Sequence, residues 1–313
     1  MTLRAIFRQL IGIAFALCCA WPAQAVGILV IASDRSSGYG EVRDVLVSEL
    51  ERSSVPRAEI AVRYAGEVGA VELASLEPSR LVITLGRDAL KHVLALEQRV
   101  PVIAAMIPRS VFERVVGEAG RKPSALLTAL YLDHPLGRQL DLLTLALPAA
   151  KKVGVLWGGD SVVHQRTLTA AANARGLELV NGFVSTDGAI FTGLKAALDG
   201  ADVLLAVADP QVFNSTNISN ILLTTYRARI PVLAFSPAYV KAGALLSLHT
   251  TSSQIGVQAA AMAKVVLQGG GLATSQYPMD YVVGVNEYVA RSLGVVVDGP
   301  TLVERLHRLE KRP

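Results

Sequence analysis

Two consecutive series of aliphatic and amphipathic segments constrain the fold of this chain more than any other feature. Val26–Ala32 reads VGILVIA, an unbroken apolar run typical of a strand that is buried on both faces. A turn-rich loop at 33–40 follows, and then Val42, Leu46 and Leu50 recur at helical spacing. Strand and helix continue to alternate, which predicts right-handed crossovers and a parallel sheet.

The first series of predicted elements ends at Asp133-His134-Pro135, because a proline disfavours helix in the residue before it. Its further predicted elements are strands at 60–64, 81–85, 102–106 and 125–131 and helices at 68–76 and 88–96. The second series comprises helices at 136–147, 162–175, 190–198 and 218–228 and strands at 153–157, 177–183, 203–207, 232–235 and 245–248. Thr251 and Gln254 then form a capping box at the head of a long helix that reaches Leu267.

We therefore expect an α/β fold of two Rossmann-like lobes with parallel sheets and a hinged cleft between them. The expected first lobe is 26–133, completed by a return strand and terminal helices in about 281–313, and the second lobe is 134–280. Ligands of such sheets bind at the carboxyl ends of the strands. The loops at those ends are 33–40, 86–88, 106–109, 131–134, 157–161, 184–187, 208–214 and 235–239.

Residues 1–25 are predicted to be a cleavable signal peptide. Two arginines, Arg4 and Arg8, precede an apolar run from Leu10 to Trp21, and Ala23-Gln24-Ala25 supplies the small-x-small pattern of a cleavage site. An uncleaved membrane anchor is the alternative, and the lack of a following stop-transfer pattern disfavours it. We therefore expect the mature chain in the periplasm.

The two cysteines of the chain, Cys18 and Cys19, both lie inside this segment. Leu17 before Cys18 disfavours a lipoprotein site, which needs a small residue there. Cleavage after Ala25 leaves no cysteine, which excludes structural disulfides, thiolate metal sites and cysteine catalysis in the mature chain.

Composition excludes further classes of function. Charged residues make up 18% and hydrophobic residues 51% of the chain, which is typical of a globular protein without a disordered block. The net charge of +4 belongs in part to the signal peptide and to the tail at 305–312. No basic stripe with interleaved aromatic residues is present, so we expect no nucleic-acid partner.

Motifs for catalysis or cofactor binding are also missing from the sequence. Gly38-Tyr39-Gly40 is followed by Arg43 where a dinucleotide fingerprint needs its third glycine, and there is neither a P-loop nor a G-x-S-x-G elbow. The five histidines never occur at metal-ligand spacing. Carboxylates of the strand-end loops have no identified partner; they are Asp34, Asp88, Asp160 and Asp209. The pattern favours binding over turnover, so we expect no enzyme and no cofactor.

Four segments of the chain resemble ABC-transporter substrate-binding proteins, which are periplasmic binding proteins of type I, and in particular the family with tryptophan- and tyrosine-binding members. They are 152–157 (KVGVLW), 201–209 (ADVLLAVAD), 230–235 (IPVLAF) continuing to 242–245 (AGAL), and 283–286 (VGVN) with Ala290, Leu293 and Gly294. The loops Gly86–Ala89 and Met106–Arg109 depart from the family pattern, where a threonine-rich turn and an aspartate-containing loop are expected. These departures bear on the identity of the ligand.

The resemblance implies a monomeric protein that captures a small molecule, such as an amino acid or another carboxylate, between two hinged lobes. Its partners would be an ABC permease and the ATPase of that permease. An alternative is a periplasmic sensory module that signals to a membrane kinase or cyclase. A third hypothesis is a hydrolase, which requires carboxylates or a Ser–His pair that converge in the cleft.

Candidate ligand-binding residues are the polar and aromatic side chains of the strand-end loops. They are Ser33, Ser37, Tyr39, Arg87, Arg109, Trp157, Ser161, Asp209, Phe213, Ser236 and Tyr239. A guanidinium can bind a carboxylate or phosphate, an aspartate can receive an ammonium, and rings can enclose a flat ligand. The alternatives are exposed arginines, an aspartate that forms a turn ahead of Pro210, rings that pack in a core, and ordinary loop serines.

Overall fold

The computed structural model describes residues 27–67, 79–96, 100–184 and 190–311. These residues form two α/β lobes, each around its own sheet. The predicted signal peptide and the predicted helix at 68–76 lie outside the described residues. Within the described part of the chain, no helix is both long and apolar enough to cross a membrane.

The first lobe contains a five-stranded sheet with the strand order β2-β1-β3-β4-β5, in which every pairing is parallel. Its elements are β1 (Ile28–Ala32), α1 (Ser37–Arg52), β2 (Ile60–Tyr64), β3 (Leu81–Leu85), α2 (Arg87–Leu94), β4 (Val102–Ile107), α3 (Arg109–Glu118) and β5 (Leu127–Tyr131). All residues of β1 and β3 are buried, because helices cover both faces of the sheet. Helix α3 was not predicted from the sequence.

The second lobe contains a six-stranded sheet with the order β11-β10-β9-β8-β6-β7, in which β11 alone runs antiparallel to its neighbour. The remaining elements of the chain are α4 (Leu136–Ala146), β6 (Lys152–Trp157), α5 (Gln165–Asn173), β7 (Glu178–Phe183), α6 (Ile190–Leu198), β8 (Val203–Leu205), α7 (Ile218–Arg227), β9 (Val232–Ala234), α8 (Pro237–Ala242), β10 (Leu246–His249), α9 (Ser252–Leu267), β11 (Val282–Val285), α10 (Glu287–Leu293) and α11 (Gly299–Glu310). Where an element was predicted with bounds, the observed bounds lie close to them; helix α8 was not predicted. A 3-10 helix at Val162–His164 precedes α5.

Two late segments of the chain pack on the opposite lobe from the one expected. Helix α9 packs on α1 of the first lobe, where Ile255 and Ala259 join the core. Strand β11 pairs with β10, and Leu302 of α11 lies in the core of the second lobe. The first lobe is therefore completed by α9. The described part of the predicted segment 281–313 does not complete it, because its apolar side chains cover the second sheet.

The close contact between α9 and α1 requires a residue without a side chain. A Cβ atom built at Gly256 would lie 2.8 Å from the Cβ of Val45. Since real Cβ atoms do not approach so closely, Gly256 lets the two helix backbones come together. The capping box predicted at Thr251 and Gln254 is confirmed at the start of α9.

The chain passes between the lobes near 132–135, 250–251 and 276–281, and buried His134 links these segments. Its Nε2 lies 3.1 Å from Oγ1 of Thr250, which in turn donates to the carbonyl oxygen of Asp280. Its Nδ1 lies 3.1 Å from a guanidinium nitrogen of Arg138 that also donates to the carbonyl oxygen of Pro278. Burial, together with the Arg138 cation, lowers the pKa of His134 to about 3, so the ring stays neutral.

Candidate functional site

A cavity of about 290 Å³ lies between the two lobes. It forms at the carboxyl ends of β4 and β5 in the first lobe and near those of β8 and β9 in the second. Parallel α/β sheets bind their ligands at this edge. The lining residues are Arg109, Ser110, Asp133, Pro135, Leu136, Gly137, Gln139, His164, Thr167, Ala171, Val207, Ala208, Phe235 and Tyr277.

The first residues of α3 form the polar wall of the cavity. Pro108 is the N-cap of α3 and has no side-chain acceptor for the first N–H groups, so the N–H of Arg109 donates to Oδ1 of Asp133 at 2.7 Å. The Arg109 guanidinium donates to the hydroxyl of Tyr277 at 3.0 Å and to Glu113 at 2.6 Å. Burial opposes the Arg109 charge, but these hydrogen bonds outweigh it and raise the pKa of Arg109 above its ordinary value.

Ser110 contributes an unsatisfied polar group to the same wall. Its side chain is buried, with 5% of the residue exposed, and its hydroxyl has no hydrogen-bond partner in the described part of the chain. The residue lines the cavity at the first turn of α3. An unpaired buried hydroxyl is costly, and the partial positive charge of a helix N-terminus favours a negatively charged partner beside it.

Asp133 follows β5 at the end of the first lobe, and its carboxyl group has a pKa above the ordinary value. Burial raises the pKa of Asp133 to about 6, although the hydrogen bond from the Arg109 N–H acts in the opposite direction. A cationic ligand group beside this carboxylate would stabilise its charged form. The cavity thus presents the N-terminus of α3, with Ser110 and Arg109, next to the carboxyl group of Asp133. The hydrogen bonds and the nearby Arg109 cation do not fully offset the cost of burying the charge of this carboxyl group.

The second-lobe wall is mostly apolar. Val207, Ala208 and Phe235 lie along it. The ring of Phe235 packs edge-on against Phe213 at 5.8 Å and against Tyr239 at 5.2 Å between ring centroids, which fixes its orientation. His164 also lines this wall, and burial lowers its pKa, so it is neutral near pH 7.

Arg109 is the one predicted site residue that lies among the cavity-lining residues. In the first lobe, the Ser33 hydroxyl donates to the carbonyl oxygen of Leu85 and accepts from the first N–H groups of α2. Tyr39 is partly buried in the first-lobe core, Ser37 is exposed at the start of α1, and Arg87 is exposed and paired with Asp88. Whether these residues contact a ligand stays a prediction.

The predicted residues of the second lobe mainly build structure. Trp157 is fully buried and donates its indole N–H to Oδ1 of Asn181 at 2.7 Å. Phe213 lies in the core, and its carbonyl oxygen accepts a hydrogen bond from the Tyr239 hydroxyl at 3.0 Å. Ser236 is the N-cap residue of α8. For Trp157 and Phe213, the structure agrees with the packing alternative.

Buried Asp209 organises the loop that follows β6. Its Oδ2 accepts the N–H groups of Asp160 and Ser161 at 3.1 and 2.8 Å, and its Oδ1 accepts that of Gln211 at 2.9 Å. A Cβ atom at Gly158 would lie 2.5 Å from Oδ2 of Asp209, so glycine is required for this approach. The Ser161 hydroxyl accepts from the N–H of Gly158.

Sequence reasoning missed several residues of the cavity, namely Ser110, Asp133, His164, Phe235 and Tyr277. Asp133 and Phe235 do lie in loops that the sequence placed at strand ends. Ser110 could have been found as a small polar residue two positions after Pro108, which is typical of a helix start. Tyr277 carried no signal, because it reaches the cavity from a crossover far along the chain.

Two α/β lobes with a cavity at the carboxyl ends of their strands define the class of two-lobed binding proteins of periplasmic type. Residues 75–304 match the family model for ABC transporter substrate binding proteins, and the chain belongs to this family. A comparison with curated proteins found no match.

Solved structures share the fold at low sequence identity. A conserved domain protein from Vibrio cholerae is 18% identical with a TM-score of 0.63, over 90% of this chain and 98% of that one. An ABC domain from Streptococcus pneumoniae in complex with L-Trp is 17% identical with a TM-score of 0.63, over 88% and 97%. A ligand-free, open substrate-binding protein with adhesive properties from Clostridium difficile is 17% identical with a TM-score of 0.67, over 87% and 95%.

Proposed function

We propose that this protein is the periplasmic solute-capturing component of an ABC transporter and that it binds an amino acid or a related small carboxylate between its lobes. The observation that carries the proposal is the cavity wall in which Ser110 has no hydrogen-bond partner beside the Arg109 guanidinium. A ligand carboxylate would accept from both groups at the start of α3.

The rest of the cavity supports the same ligand class. Asp133, whose pKa is raised by burial, would receive the ligand ammonium, and the apolar wall at Val207 and Phe235 would contact its side chain. No turnover is expected. The monomeric protein would deliver the solute to a permease and its ATPase. One relative of the same fold is described with bound L-Trp, which makes aromatic amino acids the first probes.

The test is a thermal-shift screen of the chain from Val26 onward against amino acids, aromatic acids, nucleosides and phosphorylated metabolites. A solute that binds the folded state raises the melting temperature, by an amount set by its affinity. We expect a shift with an amino acid, a smaller shift with its decarboxylated amine, which lacks the group for Ser110, and a smaller shift with the deaminated acid, which lacks the group for Asp133.

Two arginine variants provide the matched control. Arg109→Gln removes the cavity guanidinium and should reduce the affinity at least tenfold, which corresponds to about 1.4 kcal/mol. Arg35→Gln removes an exposed arginine of the first lobe that pairs with Glu67, and it should leave the shift unchanged. The proposal would be contradicted if the solute raised the melting temperature equally in both variants, or if no carboxylate raised the melting temperature of the unmodified protein.

A further inference from the structure

An ion pair joins the two lobes next to the cavity. Nε of Arg114, on α3, lies 2.9 Å from Oδ1 of Asp160 in the loop after β6. The side chains are 35% and 13% exposed, and Arg114 also donates to Glu118 at 3.0 Å. Such a partly buried pair is less screened by water and salt than a fully exposed one.

The two elements that carry this ion pair also carry the two walls of the cavity. Arg114 lies about one turn beyond Arg109 and Ser110 on the same helix. Asp160 lies four residues before His164, which lines the opposite wall. The Arg114–Asp160 ion pair therefore joins the element that carries one wall to the element that carries the other.

The loop that presents Asp160 has every backbone N–H group bound to a side chain. The N–H of Gly158 donates to Ser161 Oγ at 3.0 Å, and that of Gly159 donates to Oε1 of Gln211 at 2.9 Å. The N–H groups of Asp160 and Ser161 both donate to buried Asp209. A loop fixed at four consecutive amides holds the Asp160 side chain in one direction.

We propose that Arg114 and Asp160 form a latch that holds the lobes together over the cavity. Asp209, Ser161 and Gln211 are positioning residues, which act by fixing the loop that carries Asp160. This gives a role to the buried Asp209 that solute binding does not supply. The latch concerns lobe closure and does not depend on the identity of the solute.

The latch is tested by the distance between the lobes in solute-free protein. The chain from Val26 onward has no native cysteine, so spin labels can be attached at Glu41→Cys on α1 and Asn173→Cys on α5, which are exposed positions. The distribution of distances between the two spin labels is then measured by double electron–electron resonance. We expect Asp160→Asn and Arg114→Gln each to shift and broaden it, and the charge reversal Arg114→Asp with Asp160→Arg to restore it.

Two further variants make the result specific. Ser161→Ala, which removes the acceptor for Gly158, should broaden the distribution without altering either charge of the latch. Arg35→Gln breaks an exposed ion pair within the first lobe and should leave the distribution unchanged. An unchanged distribution in both Asp160→Asn and Arg114→Gln, or no restoration by the reversal, would overturn the latch. Because no solute is present, this result is independent of the solute screen.

Discussion

The segment after β4 in the first lobe and the loop after β6 in the second lobe use their polar groups in opposite ways. After β4, the buried Ser110 hydroxyl has no hydrogen-bond partner in the described part of the chain, and Ser110 is one of the residues that line the cavity. After β6, each amide of 158–161 is bound by a side chain, and buried Asp209 accepts two of them. A polar strand-end loop is thus not evidence of a binding site by itself, whereas unsatisfied polar groups in such a loop are.

The largest effect that tests this comparison is expected at Asp209. Asp209→Ala leaves the N–H groups of Asp160, Ser161 and Gln211 without their acceptor, so the free energy of unfolding should fall by about 3 kcal/mol. Urea unfolding followed by Trp157 fluorescence measures the change. Asp88→Ala, at an exposed position in the first turn of α2 of the first lobe, should change stability by at most about 0.5 kcal/mol. Similar losses of unfolding free energy in the two variants would contradict the structural role assigned to Asp209.

The second prediction concerns pH and the Asp133 carboxyl. Its folded pKa of about 6 lies above the ordinary value, so folded protein binds the proton more tightly than unfolded protein does. Stability from this group is therefore present below about pH 4 and is lost as the pH rises to about 6, with an amplitude of about 3 kcal/mol. Asp133→Asn does not titrate, and its stability relative to the wild type should rise by this amount over that range.

Asp202 provides a control of opposite sign. Hydrogen bonds from the N–H groups of Lys152 and Lys151 lower the pKa of Asp202 below its ordinary value. Stability from this group is present above the unfolded pKa and is lost as the pH falls through the folded pKa. The difference between wild type and Asp202→Asn should therefore shrink on acidification. The same pH trend in both variants would show that the Asp133 carboxyl is not in the environment described.

The smallest effects separate the two serines. Ser161→Ala removes the acceptor of the Gly158 N–H and should cost about 1 kcal/mol of stability. Ser110→Ala removes a buried hydroxyl that has no partner, so solute-free protein should lose no stability and could gain up to about 1 kcal/mol. Melting temperatures of the two variants without solute measure the contrast. A stability loss in Ser110→Ala equal to that in Ser161→Ala would mean that the hydroxyl is already satisfied.

The fold could be predicted from the sequence to the extent that it depends on local patterns. The apolar run of β1, the helical spacing of Val42, Leu46 and Leu50 and the capping box of α9 all predicted the observed elements. The lobe that receives α9 or β11 could not be predicted, because it depends on which distant apolar face each element covers. Helix α9 meets residues of α1 more than 200 positions earlier, and no local pattern encodes that contact.

The candidate site could be predicted at the level of loops but not of side chains. The strand-end rule placed the cavity correctly and included Arg109, Asp133 and Phe235 in its loops. It could not distinguish polar groups without a hydrogen-bond partner from those that have one, because the partners lie far away in the sequence. The hydrogen bonds between Asp209 and the amides at 160 and 161 span 49 and 48 residues, so no local pattern could indicate them.

The return of α9 to the first lobe affects the order in which the chain can fold. Strands β1 to β5 are complete by residue 131, but one face of their sheet is covered in part by Ile255, Ala259 and Ala263. During synthesis, the first half of the chain therefore exposes an apolar surface until residues near 267 have emerged. Contacts of such high sequence separation form late and slow the search for the native state. Early fragments of the chain should depend on chaperones, since neither lobe is encoded by one continuous stretch.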